Sequence, residues 1–173
     1  QEMSRGLGDV YKRQLRVRRA CFRPPNPSIA ESISMIGNNY FNLGRLDEAK
    51  KMLEQSLPMQ AATLPPDHVA LGRAHFNRGH VRYKMALDED DLEDAIDDME
   101  EAARIYRLNL PFEASALGQA LLIQAWSKKR LGEPGKERLA ALEEAVRLFA
   151  DGGRPNVLAQ AYIDIATIRD GMG

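Results

Sequence analysis

Chemically reactive side chains are few and scattered in this sequence, so the first question is whether any of them could form a catalytic or metal site. His75 and His80 lie five residues apart. On a helix they would diverge by about 140° and could not hold one metal ion as an i, i+4 pair does. His68 stands in the loop segment PPDH, where we expect it to cap a helix or to pack. The sequence has no HExxH or GxSxG motif and no Cys/His nucleophile pair, so we expect a protein that is not an enzyme and that uses neither a cofactor nor a metal.

Two further stretches have a superficial likeness to ion or phosphate sites. The run DEDDLEDAIDDMEE, from Asp88 to Glu101, has ten carboxylates in fourteen positions, but it lacks the glycine and the ligand spacing of a calcium loop. Apolar residues keep helical spacing through it, so it is predicted to be the solvated face of an amphipathic helix. GEPGKE, from Gly132 to Glu137, has neither the glycine spacing nor the hydroxyl residue of a phosphate loop, and is predicted to be a turn between helices.

The amino-acid composition bears on whether nucleic acid or a membrane could be a partner. Apolar residues make up 44% and charged residues 28% of the chain, and the net charge is −1, as in soluble globular proteins. Without a basic excess, nucleic acid is not expected as a partner. The longest charge-free run, from Ala114 to Ser127, is too short to span a bilayer, so no membrane partner is expected. The single cysteine, Cys21, excludes an internal disulfide and favours a reducing, cytoplasmic location.

Helical patterns bounded by glycine and proline fill the chain, and no alternating run is long enough for a strand, so the fold is predicted to be all-α. Small residues recur in the middle of helical segments at intervals of 42, 46 and 41 residues, at Gly37, Gly79, Ala125 and Ala166. A second set of segments follows these, with Ser56, Ala102 and Ala145 at equivalent positions. Small residues allow close approach of a partner helix, so each unit is predicted to be an antiparallel helix pair, with Gly37 facing Ser56 in the first. Pro58 predicts a kink or an early stop in the second helix of that pair.

These positions resemble the tetratricopeptide repeat, in the long-period variety of kinesin light chains. The first unit follows the pattern closely at Ile33, Ile36, Gly37, Tyr40, Leu43, Gly44, Ala49, Leu53 and Ser56. The resemblance implies an α-solenoid of antiparallel helix pairs that winds as a right-handed superhelix. It also implies about three full repeats, with partial repeats at both ends, and a role in binding proteins.

The ends of the chain suggest a piece of a longer protein. The segment DVYKRQ, Asp9 to Gln14, resembles a translated sequencing-adapter tag, so residues 1–14 are interpreted as an artefact and residues 15–173 as the repeat domain. One interval before Ser56 lies Gln14, so Leu15 to Phe22 is expected to be the tail of a second helix. Each unpaired end would expose an apolar face and allow self-association.

The first helices of the units are expected to line a concave groove that binds a protein or peptide. Stacking equivalent positions gives the predicted ligand-binding residues Asn38, Phe41, Asn77, His80, Tyr83, Trp126 and Lys129. The alternative is that Phe41 and Trp126 only pack between adjacent units. Chaperone-binding relatives clamp a terminal carboxylate with two asparagines and several cations. Ser34, Gln119 and Ile123 stand where those cations are needed, so we do not predict a clamp here.

Three hypotheses of function follow. The first is a non-catalytic scaffold whose groove binds a peptide or a partner domain. The second is a regulatory or sensor arm of a multidomain signalling protein or enzyme, linked to an NTPase or a protease, that acts by intramolecular binding or by controlling assembly. The third is a module that assembles with copies of itself through its repeat ends.

Overall fold

The computed structural model describes residues 2–149 and 155–171, and all the regular structure in these ranges is helical. The helices are α1 (Glu2–Cys21), α2 (Pro27–Asn42), α3 (Leu46–Ala61), α4 (Val69–Met85), α5 (Glu89–Leu108), α6 (Ala114–Arg130), α7 (Gly135–Leu148) and α8 (Pro155–Asp170). Each helix packs on the next one along the chain. Helices α2 and α3 form unit 1, α4 and α5 form unit 2, and α6 and α7 form unit 3. The predicted all-α solenoid of about three pairs with a partial repeat at each end is confirmed.

Close approach within a pair depends on the mid-helix small residues. A methyl carbon placed on Gly37 would lie 2.9 Å from Cγ of Leu53, and one placed on Gly79 would lie 2.7 Å from Cβ of Asp98. Both distances are too short for a real side chain, so in these two pairs only glycine allows the observed separation. The small residues at these positions therefore set the helix spacing, as the sequence predicted.

The detail that Gly37 faces Ser56 is wrong. The hydroxyl of Ser56 donates a hydrogen bond to the carbonyl oxygen of Ala30, at 2.8 Å, whereas Gly37 faces Leu53. In an antiparallel pair, later positions on the second helix lie opposite earlier positions on the first. Each first helix therefore has two small contact positions about two turns apart, and the sequence analysis identified only the later one.

The earlier small position is visible in the other two units. A methyl carbon on Gly72 would lie 3.0 Å from Cγ2 of Ile105, and one on Gly118 would lie 2.9 Å from Cζ of Phe149. These glycines are equivalent to Ala30 of unit 1. Two small residues on each first helix thus face the second helix of the same pair.

Helix ends are fixed by local caps. The side-chain oxygen of Asn26 accepts from the backbone N–H of Ser28, at 3.0 Å. Nδ1 of His68 accepts from the N–H of Ala70, at 3.1 Å, so the capping role predicted for His68 is confirmed. The acidic run opens with Asp88, whose carboxylate accepts from the N–H of Asp91, at 2.9 Å. Carboxylates in a first turn also favour the helix through its dipole.

Helix α3 does not stop early at Pro58. It continues to Ala61, so this part of the prediction is wrong. Pro58 cannot donate to the carbonyl of Glu54, and both residues lie on the exposed side of the helix. Water can reach that carbonyl, which explains why the helix tolerates the lost hydrogen bond.

Helix α1 runs without a break across the predicted boundary between residues 14 and 15. Leu15 is buried in one apolar cluster with Ile29 of α2. Leu57 and Leu71, one interval of 42 residues later, share the equivalent cluster between α3 and α4. The segment from Leu15 is therefore the end of a helix in the second-helix position, as expected. The adapter origin of residues 1–14 stays a prediction.

Candidate functional site

A cleft of about 490 Å³ opens between the first helices of units 1 and 2. Helices α2 and α4 supply two of its walls, and the connection between α3 and α4 supplies part of the third. The side chains that line it include Glu31, Ser34, Met35, Asn38, Gln60, Leu64, His68, Arg73 and Asn77. Two of the seven predicted ligand-binding residues, Asn38 and Asn77, are thereby brought to one cavity.

Asn38 and Asn77 are half-buried and available for hydrogen bonding. No hydrogen bond to either side-chain amide is found among the described residues. Each amide offers two donors and one acceptor oxygen, which is the complement of a backbone peptide group. The two residues lie on different helices, so together they can hold successive parts of one extended chain.

Two further hydrogen-bond donors, Arg73 and His68, line the same cleft. Arg73 is exposed and makes no hydrogen bond or ion pair within the described ranges. His68 uses Nδ1 as the acceptor of its cap, so its neutral ring carries the proton on Nε2 and can donate from there. The one carboxylate in the cleft, that of Glu31, lies 3.4 Å from Nη1 of Arg18. Arg73 therefore has no competing partner in the cleft.

Phe41 and His80 lie in the contact between α2 and α4. Their ring centroids are 4.6 Å apart, and the rings of Phe76 and His80 are 5.8 Å apart. Burial among these rings, and to a smaller extent the positive charge of Lys84, lowers the pKa of His80 to about 4. His80 is therefore neutral near pH 7 and acts as an aromatic packing residue between units 1 and 2.

Tyr83 lies in the corresponding contact between units 2 and 3. The guanidinium carbon of Arg130 is 5.3 Å from the centroid of its ring. Arg130 also donates to the carbonyl oxygens of Tyr83 and Ala86, at 2.7 and 2.8 Å. These bonds satisfy carbonyl groups at the end of α4 that have no partner inside the helix.

Trp126 and Lys129 on α6 share a single partner on α8. The indole Nε1 of Trp126 donates to Oδ2 of Asp164, at 3.0 Å, and Nζ of Lys129 lies 2.6 Å from Oδ1. Asp164 is only 4% exposed, so its carboxylate depends on these donors. In this structure Trp126 and Phe41 therefore contact neighbouring helices, in agreement with the alternative that they pack between units. A ligand contact from either residue stays a prediction.

The most heavily paired carboxylate among the described residues could not be identified from the sequence. Asp98 belongs to the acidic run that was predicted to be solvated, yet it is 2% exposed. Its oxygens lie 2.7 and 2.9 Å from the guanidinium nitrogens of Arg78, 2.9 Å from Nη1 of Arg82 and 2.8 Å from Nδ1 of His75. The signal for this cluster was the helical spacing of those three residues on α4.

Burial alone would raise the pKa of Asp98. The hydrogen bonds from His75 and Arg78, with the charges of Arg78 and Arg82, outweigh burial, and the pKa of the carboxyl is lowered. Asp98 is thus ionised near neutral pH and holds α4 against α5. Asn77 lies on this same α4 helix, so the cluster also fixes one wall of the cleft.

In the described part of the chain, no group of three or more His, Cys, Asp or Glu side chains could hold a metal ion. None of the described helices combines the length and the apolar composition needed to cross a bilayer.

Comparison with known proteins identifies relatives of the repeat and of the fold. Residues 28–108 match the family described as tetratricopeptide repeat. No curated protein matches the chain.

Solved structures match over nearly the whole chain. A structure described as putative kinesin light chain nearly identical TPR-like repeats, from Podosopora anserina, aligns with a TM-score of 0.73 and 18% sequence identity. The alignment covers 98% of this chain and 82% of that chain. The structure of a variant of the same protein aligns with a TM-score of 0.74 and 19% sequence identity, with the same coverage of the two chains. BtubC (BKLC) from P. vanneervenii aligns with a TM-score of 0.77 and 18% sequence identity, over 98% of this chain and 66% of that chain. At these identities the likeness shows a shared solenoid fold.

Proposed function

We propose that this chain is a non-catalytic scaffold that binds a protein partner. Residues 28–108 match the tetratricopeptide repeat family, whose helix pairs generally mediate protein–protein interaction. The binding surface is the cleft between α2 and α4, and its occupant is an extended peptide segment. The observation that carries this proposal is the pair of unbonded amides, Asn38 and Asn77, on adjacent helices of one cavity.

The chemistry of the cleft suits a peptide backbone. An asparagine side chain can donate to a peptide carbonyl and accept from a peptide N–H without reading the side chain of the ligand. Met35 and Leu64 add apolar surface between the polar groups, and an apolar side chain of the partner can pack there. Arg73 and the Nε2 proton of His68 add donors for carbonyl or carboxylate oxygens.

The proposed role is binding and not catalysis. His68, the histidine in the lining of the cleft, accepts the cap hydrogen bond at Nδ1, so in its neutral form it has no free lone pair to act as a base. The comparisons indicate no enzymatic family. Binding is therefore the role that the cleft supports.

A partner in the cytoplasm fits the remaining features. Cys21 is exposed and free, as is usual for a thiol in a reducing compartment. The net charge of −1 gives no general attraction to nucleic acid. We take residues 15–173 as the repeat domain that carries this function.

Calorimetry with a selected peptide tests the proposal. A linear peptide is first selected on the intact protein from a random displayed library, and its Kd is then measured for Asn38→Ala, Asn77→Ala and the control Asn42→Ala. Asn42 is exposed at the end of the same helix α2 and does not line the cleft. Loss of one hydrogen-bonding partner costs about 1–2 kcal/mol, or roughly a tenfold rise in Kd. The proposal fails if both cleft variants bind the peptide as tightly as the control does.

A further inference from the structure

Two side chains of the cleft, at the start of α4, can only donate hydrogen bonds. His68 caps α4 by accepting from the backbone N–H of Ala70 at Nδ1, so its neutral ring has one free polar atom, the Nε2 donor. The guanidinium of Arg73 has donors and no acceptor. Both side chains line the cleft. A ligand group that binds between them must therefore be a hydrogen-bond acceptor.

The charge at this end of the cleft is positive. Arg73 is the one arginine or lysine among the described residues that line the cleft, and it has no hydrogen-bond or ion-pair partner within the described ranges. Glu31 stands at the equivalent position on α2, one interval of 42 residues earlier. Its carboxylate lies 3.4 Å from Nη1 of Arg18. The opposite wall of the cleft therefore supplies no counter-ion to Arg73.

We propose that His68 and Arg73 form a subsite for one acidic side chain, aspartate or glutamate, of the peptide bound in the cleft. The subsite rests on the proposed function, because it determines which peptides the cleft binds. A carboxylate brings acceptor oxygens and one negative charge, which match two donor groups and a single cation. A lysine or arginine side chain would meet only donors and a like charge, so it is rejected.

The number of cations favours a carboxylate over a phosphate group. A phosphoserine carries between one and two negative charges near neutral pH. The cleft lining offers one arginine, with the carboxylate of Glu31 on the opposite wall. A single negative charge is therefore the better match.

The place of Arg73 in the cleft favours a side chain over the end of a peptide as the source of the carboxylate. Arg73 lines the cleft and is exposed to solvent. A bound peptide can therefore continue past Arg73 and does not have to end there.

The spacing along α4 indicates where the acidic residue lies in the peptide. Arg73 and Asn77 are four residues apart, which is about 6 Å along a helix, and an extended chain advances about 3.3 Å per residue. When Asn77 holds one peptide group of the ligand, the acidic residue is expected about two positions away. Peptides that bind the cleft are thus expected to share one acidic position.

Peptide selection followed by paired substitutions tests the proposal. Random peptides are displayed through their carboxyl ends, so that no free C-terminus is present, and are selected on the intact protein. The selected peptides are expected to share one aspartate or glutamate. A synthetic, amidated copy is the acidic peptide, and the same copy with asparagine or glutamine at that position is the neutral peptide. The parent protein is expected to bind the neutral peptide about tenfold more weakly, because a hydrogen bond to a charged group is lost. For Arg73→Met the difference between the two peptides is expected to be much smaller.

Two further variants separate this subsite from general charge and from folding. Arg147→Met removes an exposed arginine of α7 that does not line the cleft, and it is expected to bind the acidic peptide as the parent does. His68→Asn keeps a side chain that can cap α4 but removes the Nε2 donor. It is expected to weaken binding of the acidic peptide and not that of the neutral one. If His68 acted only as a cap, both peptides would be affected equally.

Any of four results would overturn the proposal. The first is a neutral peptide that binds the parent as tightly as the acidic peptide does. The second is an equal preference for the acidic peptide in the parent and in Arg73→Met. The third is binding that requires a free carboxyl terminus, which would make the chain end the source of the carboxylate. The fourth is a phosphoserine peptide that binds more tightly than the acidic peptide.

This proposal and the proposed function can fail separately. Asn38→Ala and Asn77→Ala test the proposed function with the same acidic peptide. Weaker binding in those two variants, together with any of the four results, would leave the cleft as the peptide site and remove the acidic subsite.

Discussion

The imidazole ring of His80 on α4 lies against the phenyl ring of Phe41 on α2, with their centroids 4.6 Å apart. This contact joins unit 1 to unit 2. Burial there, followed by the charge of Lys84, lowers the pKa of His80 from 6.5 to about 4. The folded state thus resists protonation more strongly than the unfolded chain does. The contribution of neutral His80 to stability is present above pH 6.5 and is lost as the pH falls towards 4.

The first prediction concerns this pH dependence. Lowering the pH from about 7.5 to about 5 is expected to remove about 2 kcal/mol of unfolding free energy through His80 alone. Urea unfolding at several pH values measures the change. His80→Gln has no ring to titrate, so it is expected to be less stable at neutral pH and to lack this component of the pH slope. Equal slopes for the parent and the variant would contradict the assignment.

The second prediction concerns the buried carboxylate. Asp98→Asn leaves Arg78 and Arg82 without their shared anion in a site that is almost closed to water. Nε of Arg82 already has no hydrogen-bond partner within the described part of the structure. Removing one partner of a buried ion pair typically costs about 3–5 kcal/mol, and we expect a loss near the lower figure, about 3 kcal/mol.

Asp97→Asn is the matched control for Asp98→Asn, since Asp97 is the neighbouring residue and lies on the exposed face of α5. It is expected to change the unfolding free energy by less than about 0.5 kcal/mol. Chemical denaturation of both variants decides the issue. Similar small changes in both would show that the cluster around Asp98 does not hold α4 to α5.

The third prediction concerns close packing in unit 2. On helix propensity alone, Gly79→Ala would stabilise helix α4 by about 1 kcal/mol. The new methyl carbon would nevertheless lie 2.7 Å from Cβ of Asp98 and 3.2 Å from the carbonyl oxygen of Ala95. Overpacking of this kind costs about 1–3 kcal/mol, so thermal unfolding is expected to show a net loss of stability.

Gly6→Ala is the control for Gly79→Ala. Gly6 is also helical, but nothing lies within 4 Å of a methyl carbon placed there. This change is expected to leave stability unchanged or to raise it slightly. A gain at Gly79 as large as that at Gly6 would show that α4 and α5 are free to move apart.

The repeat could be predicted from the sequence because its cause is local and periodic. A glycine such as Gly37 or Gly79 interrupts an apolar helical pattern at a position where the partner helix approaches closely, and a small residue returns at the equivalent position of the later units. The opposing residue could not be predicted in the same way. The offset between two antiparallel helices depends on their crossing geometry, and that geometry places Leu53, and not Ser56, opposite Gly37.

The candidate site was only partly predictable, because concave positions can serve either a ligand or a neighbouring helix. Asn38 and Asn77 line the cleft. Trp126 and Lys129 instead bond to Asp164, which lies more than thirty residues further along the chain. The pairing of Asp98 was hidden for a related reason. Nothing in a fourteen-residue segment with ten acidic residues indicates which carboxylate is buried, and only the packing of α4 on α5 brings the partners of Asp98 to it.

The cleft between α2 and α4 is the proposed partner-binding surface. The decisive measurement is the nuclear magnetic resonance of the side-chain amides in the isotope-labelled protein, during titration with the library-selected peptide. The amide signals of Asn38 and Asn77 are expected to shift together and saturate, while that of Asn42 stays in place. Unchanged signals for Asn38 and Asn77 at full occupancy, with shifts on α3 or α5 instead, would contradict it.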